Sequence, residues 1–106
     1  MPKYLIQASY TAEGAKGILK GGGSARRAAA QQAIESVDGK MEAFYFAFGE
    51  DDAFVILDAP DNVSLAAASL AINASGAVRT KTTVLLTPEE IDKAAKKTVR
   101  YRPPGQ

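Results

Sequence analysis

Residues 3–10, KYLIQASY, hold aliphatic and aromatic side chains in a run without glycine or proline, which predicts a β-strand. Thr11 then caps a short helix through Lys20, with Ala15, Ile18 and Leu19 along one side, until the GGG at 21–23 breaks it. Ser24 is the predicted N-cap of the next helix, ARRAAAQQAIESV, whose Ala30, Ile34 and Val37 recur at helical spacing before Asp38 and Gly39 end it. Residues 40–48 predict a second strand. Strict alternation puts Met41, Ala43, Tyr45 and Ala47 on one of its faces and Glu42, Phe44, Phe46 and Phe48 on the other, so both faces are largely apolar. AFVILD at 53–58 is a third strand, and the Pro60-Asp61-Asn62 start opens an alanine-rich helix that runs to about Ser75 and stops at Gly76. Residues 77–86, AVRTKTTVLL, are rich in β-branched side chains and predict a fourth strand. Thr87-Pro88-Glu89-Glu90 reads as a capping box opening a last helix, with Ile91, Ala94 and Ala95 on one face. The tail TVRYRPPGQ is irregular, because its two prolines cannot extend a helix.

Strand, helix, strand, strand, helix, strand and a terminal helix is the order of an α+β chain with a ferredoxin-like split βαβ fold and a four-stranded antiparallel sheet. One domain spans residues 1–97 and an irregular tail 98–106. Both helices of such a fold cover the same face of the sheet. The other face is left to water, yet the second strand is apolar on both sides and the third is almost continuously hydrophobic. Leaving several hundred Å² of apolar surface wet forgoes about 10 kcal/mol at roughly 25 cal/mol per Å², comparable with the stability of a whole domain. A second copy packed sheet to sheet is the simplest cover, so the expected partner is the chain itself, as a homodimer or a higher oligomer.

Composition narrows the chemistry. With 106 residues, 46% of them hydrophobic and 24% charged, the chain matches one ordinary globular domain, and a formal charge of +1 supplies no field for nucleic acid or a membrane. No apolar run approaches the roughly 20 residues of a membrane span, and MPKYLIQASY lacks the pattern of a signal peptide, so a cytoplasmic location is expected. Absent cysteine removes disulfides and thiolate chemistry, and absent histidine removes a Ser-His-Asp triad, histidine-ligated zinc and histidine-ligated haem. The expectation is a protein without cofactor or transition metal. Hard, oxygen-bound ions such as Mg²⁺ are compatible with the residues present.

In four stretches taken in order, KYLIQASYT, GGSARR, DGKMEAFYFAFGEDDAFVILDAPD and ASGAVRTKTTVLLTPEE, the sequence resembles the GYD domain family, over about residues 1–97. The namesake Gly-Tyr-Asp element departs here: Gly49 and Asp52 match, but Asp51 stands where the tyrosine would be, so no role of that tyrosine carries over. The resemblance implies a dimeric α/β barrel in which two sheets face each other. It implies no agreed activity, since similar barrels include monooxygenases, isomerases, stress-responsive proteins and proteins without known ligands.

No catalytic motif in the chain is specific, and the candidates for function are single residues. In FYFAFGEDDAFVILDAP the three acids Glu50, Asp51 and Asp52 are first of all a hairpin turn, and Asp52 is the one kept as a site residue. GGGSARR exposes backbone N–H groups beside Arg26 and Arg27, a place for a carboxylate or phosphate, although it lacks the Gly-Lys-Ser/Thr ending of a P-loop. Arg79 lies in a strand and needs a partner, for which Asp52 is the first expectation. Among the strand aromatics Tyr4, Tyr10 and Tyr45, any can line a small cavity, and Tyr45 is the one retained. The basic residues Lys93, Lys96, Lys97, Arg100 and Arg102 read as a solvated face or a partner contact. The ligand-binding candidates are therefore Arg26, Arg27, Tyr45, Asp52 and Arg79. Two classes of function stay open: a homodimeric small-molecule-binding or stress-related module, and a cofactor-independent monooxygenase or isomerase acting on a small hydrophobic or aromatic compound.

Overall fold

A computed structural model describes all 106 residues. The elements are β1 (Lys3–Tyr10), α1 (Ala12–Gly21), α2 (Gly23–Glu35), β2 (Lys40–Phe46), β3 (Ala53–Asp58), α3 (Asn62–Ala74), β4 (Val78–Leu85) and α4 (Pro88–Ala95). The four strands form one antiparallel sheet in the order β2-β3-β1-β4, the ferredoxin-like arrangement.

The helical segment after β1 breaks at a single residue. Gly22 has φ 87°, a conformation open to glycine at little cost, and it serves as C-cap of α1 and N-cap of α2 at once. Ser24 is therefore not the cap the sequence suggested. The positive φ of Gly22 lets α2 start at Gly23, which leaves Ser24 inside the first turn and α2 without a side-chain cap. Gly14 has a different reason to be glycine: a Cβ there would lie 2.2 Å from the carbonyl oxygen of Ala77, where α1 crosses the entry to β4. The predicted caps at Thr11 and Thr87 form, the latter as a full capping box with Glu90, and within the Pro60-Asp61-Asn62 start it is Asp61 that caps α3.

Cross-strand register divides the sheet into two faces. Tyr4 pairs with Leu57, Ile6 with Val55 and Ala8 with Ala53, and all six are buried under α2 and α3. Ile34 of α2 and Leu65 of α3 complete this core, and the Tyr4 hydroxyl donates to Oδ1 of Asn62 at the start of α3. The predicted alternation of β2 fails at one place. A bulge between Met41 and Ala43 puts Met41 opposite buried Leu57, on the same side as Phe44 and Phe46 instead of with Ala43 and Tyr45. Leu5, Ile56, Ala43, Phe54 and Tyr45 fall on the opposite face, which no helix covers; Tyr45 is 71% exposed.

From Leu86 onward every residue is exposed, and α4 buries none of its side chains. The molecule extends 57 Å in its longest direction with a radius of gyration of 16.9 Å, against about 13 Å for a compact domain of this length. The C-terminal segment is an arm that leaves the body at the end of β4.

Candidate functional site

The carboxyl-terminal end of β1 carries Tyr10 on the covered face, opposite Val78 of β4. Its backbone N–H donates to Oδ2 of Asp52 at 2.8 Å, while the Asp52 N–H donates to the Ala8 carbonyl at 2.8 Å. Asp52 thus fastens the β2–β3 turn to β1 and fixes where the Tyr10 ring projects. Phe46 packs against that ring with centroids 6.4 Å apart, and Phe44 meets Phe46 edge-on at 5.1 Å. Arg26, in the first turn of α2, reaches the same place.

Tyr10 and Arg26 stand where two spaces meet. One is a groove of about 280 Å³ between α1, α2 and the ends of β1 and β4, lined by Gly14, Gly17, Gly21 and Gly22 together with Glu13. The other is a narrow crevice of about 40 Å³ between α2, α3 and the sheet. Its floor is Ile6, Ala8, Phe44 and Val55, and its walls are Ala30 and Ile34 of α2 and Leu65, Ala68 and Ile72 of α3. Apart from the Tyr10 phenol, Arg26 and Thr80 are its polar lining residues. Burial pushes the Tyr10 phenol above its ordinary value, against the pull of the Arg26 charge, and the nearby Asp52 carboxylate adds to the rise. At neutral pH Tyr10 is a proton-bearing donor beside a guanidinium.

The five residues singled out from sequence do not converge. Arg26 and Asp52 come together through Tyr10. Arg27 is exposed in a separate shallow groove with Ser24, Phe44 and Phe46. Tyr45 lies on the uncovered face of the sheet, and so does Arg79, opposite Ser9 of β1. The expected Arg79–Asp52 ion pair does not exist. Register puts Arg79 on the open face, whereas Asp52 is committed to the Tyr10 backbone, and the ion pairs of the chain are Lys3 with Glu42 and Asp58 and Lys81 with Asp51.

Asp51, set aside as a turn residue, is the one buried charged residue of the molecule. Gln7 Nε2 donates to its Oδ2 at 3.0 Å, Ser9 Oγ donates to Oδ1 at 3.2 Å, and Lys81 Nζ lies 3.4 Å from Oδ1. Arg79 shares a wholly polar hollow with these groups. The three acids of the turn therefore separate: Asp51 faces the sheet, Asp52 holds β1, and Glu50 stays in solvent. No group of three or more acids converges to hold a metal ion. Neither Tyr10, one of three aromatics able to line a cavity, nor Asp51, a turn acid, is retained on spacing alone, since the setting of each depends on strands brought together from distant parts of the chain.

No helix is long and apolar enough to cross a membrane. Comparison with curated proteins gives no match, and comparison with solved structures gives none. The family model for the GYD domain matches residues 4–95, from the start of β1 to the end of α4 and so across both the groove and the crevice, and the chain belongs to the GYD domain family.

Proposed function

We propose that this GYD domain protein is a homodimeric small-molecule-binding module whose ligand enters the groove at Tyr10 and Arg26 and extends into the crevice beneath α2 and α3. The observation that carries this reading is that Tyr10 and Arg26 line both spaces: a groove of about 280 Å³ with two polar groups and an apolar slot beside it, the mix of apolar lining and few polar groups that suits a small ligand. Alanines at 30 and 68 leave the walls of the slot free of bulk. The homodimer rests on two surfaces that lack a cover in one chain. The open face presents Leu5, Phe54, Ile56 and Tyr45, and the arm presents Leu86, Ile91, Val99 and Tyr101, of which Ile91 is 51% exposed. A helix of eight residues is marginal alone in water, and a second copy supplies a surface for it.

The phenol of Tyr10 beside Arg26 favours a second reading, an isomerase in which that hydroxyl gives a proton to one atom of a bound substrate and the phenolate left beside the guanidinium takes a proton back from another. Turnover of a bound ligand that is lost in Tyr10→Phe while binding persists distinguishes it from the module. For the principal reading, the test is isothermal titration of small apolar compounds against wild type and Ala68→Phe, which fills the crevice. Binding by wild type that Ala68→Phe abolishes without loss of helical content supports the site. Equal binding by both proteins places the ligand elsewhere and overturns it.

A further inference from the structure

The ligand class follows from what the crevice mouth lacks. Arg26 is half-buried, and no carboxylate comes within 4.0 Å of its guanidinium. Glu13 lines the same groove without forming that pair, and Asp52 has its Oδ2 on the Tyr10 N–H. The Tyr10 hydroxyl also has no acceptor in the protein, in contrast with Tyr4, whose hydroxyl reaches Asn62. The guanidinium lies within hydrogen-bond reach of the phenol oxygen, and beyond that contact neither group has an acceptor in the protein; both face one space. What completes them is an acceptor carrying negative charge.

The surroundings restrict that acceptor further. Beyond Arg26 and Tyr10 the crevice is hydrocarbon, with the Thr80 hydroxyl already receiving Nδ2 of Asn73 at 2.8 Å. A second charge on the ligand would lie against this wall uncompensated. One cation suits one negative charge, which favours a carboxylate over a phosphate dianion, and the guanidinium fork matches the two oxygens of a carboxylate. The crevice, at about 40 Å³, admits the end of a short chain or the edge of one ring, and the groove of about 280 Å³ holds the head and the rest of the body.

We propose that the ligand is a small monocarboxylate with an aliphatic or monocyclic apolar body, its carboxylate held by Arg26 and Tyr10, its body lying along the groove and its apolar end entering the crevice. This rests on the small-molecule-binding reading above. It is tested by calorimetry on the full chain with hexanoate and benzoate against their neutral amides, hexanamide and benzamide, at pH 7. At least one carboxylate should bind about tenfold tighter than its amide, the effect of one charge-assisted contact. Arg26→Gln should erase that difference, and Tyr10→Phe should reduce it severalfold. Carboxylate and amide binding equally in wild type overturns the ligand class and leaves the module intact. Binding of none of the four compounds overturns the ligand class, and with Ala68→Phe unchanged toward other apolar compounds the module reading falls as well. Because the wild-type comparison needs no variant, a folding defect in Arg26→Gln does not decide the result.

Discussion

Two faces of one sheet are made by alternate residues of the same four strands, and they differ in how their side chains are completed. On the covered face Tyr4, Ala53 and Leu57 are at most 1% exposed, and the Tyr4 hydroxyl has its acceptor. On the open face Ile56 and Phe54 remain partly in water beside exposed Arg79, Lys81 and Thr83 of β4, yet Asp51 at its end is as well provided with donors as any group in the core. An ordinary solvent-facing sheet alternates hydrophobic inside and polar outside. This one is apolar inside and half apolar, half ordered polar network outside. An open face of this composition is what supports the proposed homodimer.

That contrast can be broken most sharply in the core. Leu57→Ala should cost about 2–5 kcal/mol in urea unfolding, because it opens a cavity among residues with no room to relax. Ile56→Asp, one position along and facing the other way, should leave each chain folded by circular dichroism and remove self-association. Loss of the fold from Ile56→Asp would make the open face part of the monomer's own core. Asp51→Ala strips an acceptor from Gln7, Ser9 and Lys81 and should destabilise by about 1–3 kcal/mol, against nearly nothing for a solvated turn acid.

Tyr10, at the end of the covered face, makes stability depend on pH. The folded chain holds its phenolic proton more tightly than the unfolded chain, chiefly through burial. Its contribution to stability is therefore complete below the ordinary tyrosine value and is lost as pH rises through the raised folded value. In NMR of ring-labelled tyrosine, the Tyr10 signal should titrate later than that of a tyrosine peptide; titration at the peptide value would contradict its half-buried placement. The smallest effect belongs to Arg79→Met, which removes no ion pair and should change stability by less than about 0.5 kcal/mol. In a double-mutant cycle with Asp52→Asn the losses should add, since the two side chains do not meet.

Much of the fold is written in local patterns. The caps at Thr11, Asp61 and Thr87, the breaks at glycine and the strand of residues 3–10 are all decided by a few neighbouring residues, so they can be read along the chain. The Met41 bulge cannot, because two residues opposing one is a property of the pair of strands. The site is legible only in fragments for the same reason. Arg26 stands out in GGGSARR, but its neighbour Tyr10 comes from another strand end, and the assignment of Asp52 and Asp51 to different partners depends on which side of the turn each carboxylate faces. Arg79 illustrates the opposite error: a charged strand residue needs a buried partner only if its face is covered, and register puts Arg79 on the face that this chain alone leaves open.

A second copy that completes the open face doubles the mass of the particle in solution. Sedimentation equilibrium of the full chain at micromolar concentration should give about twice the 11.1 kDa of one chain, falling to that single-chain mass in Ile56→Asp. A wild-type particle of 11.1 kDa across the same concentrations would contradict the homodimer.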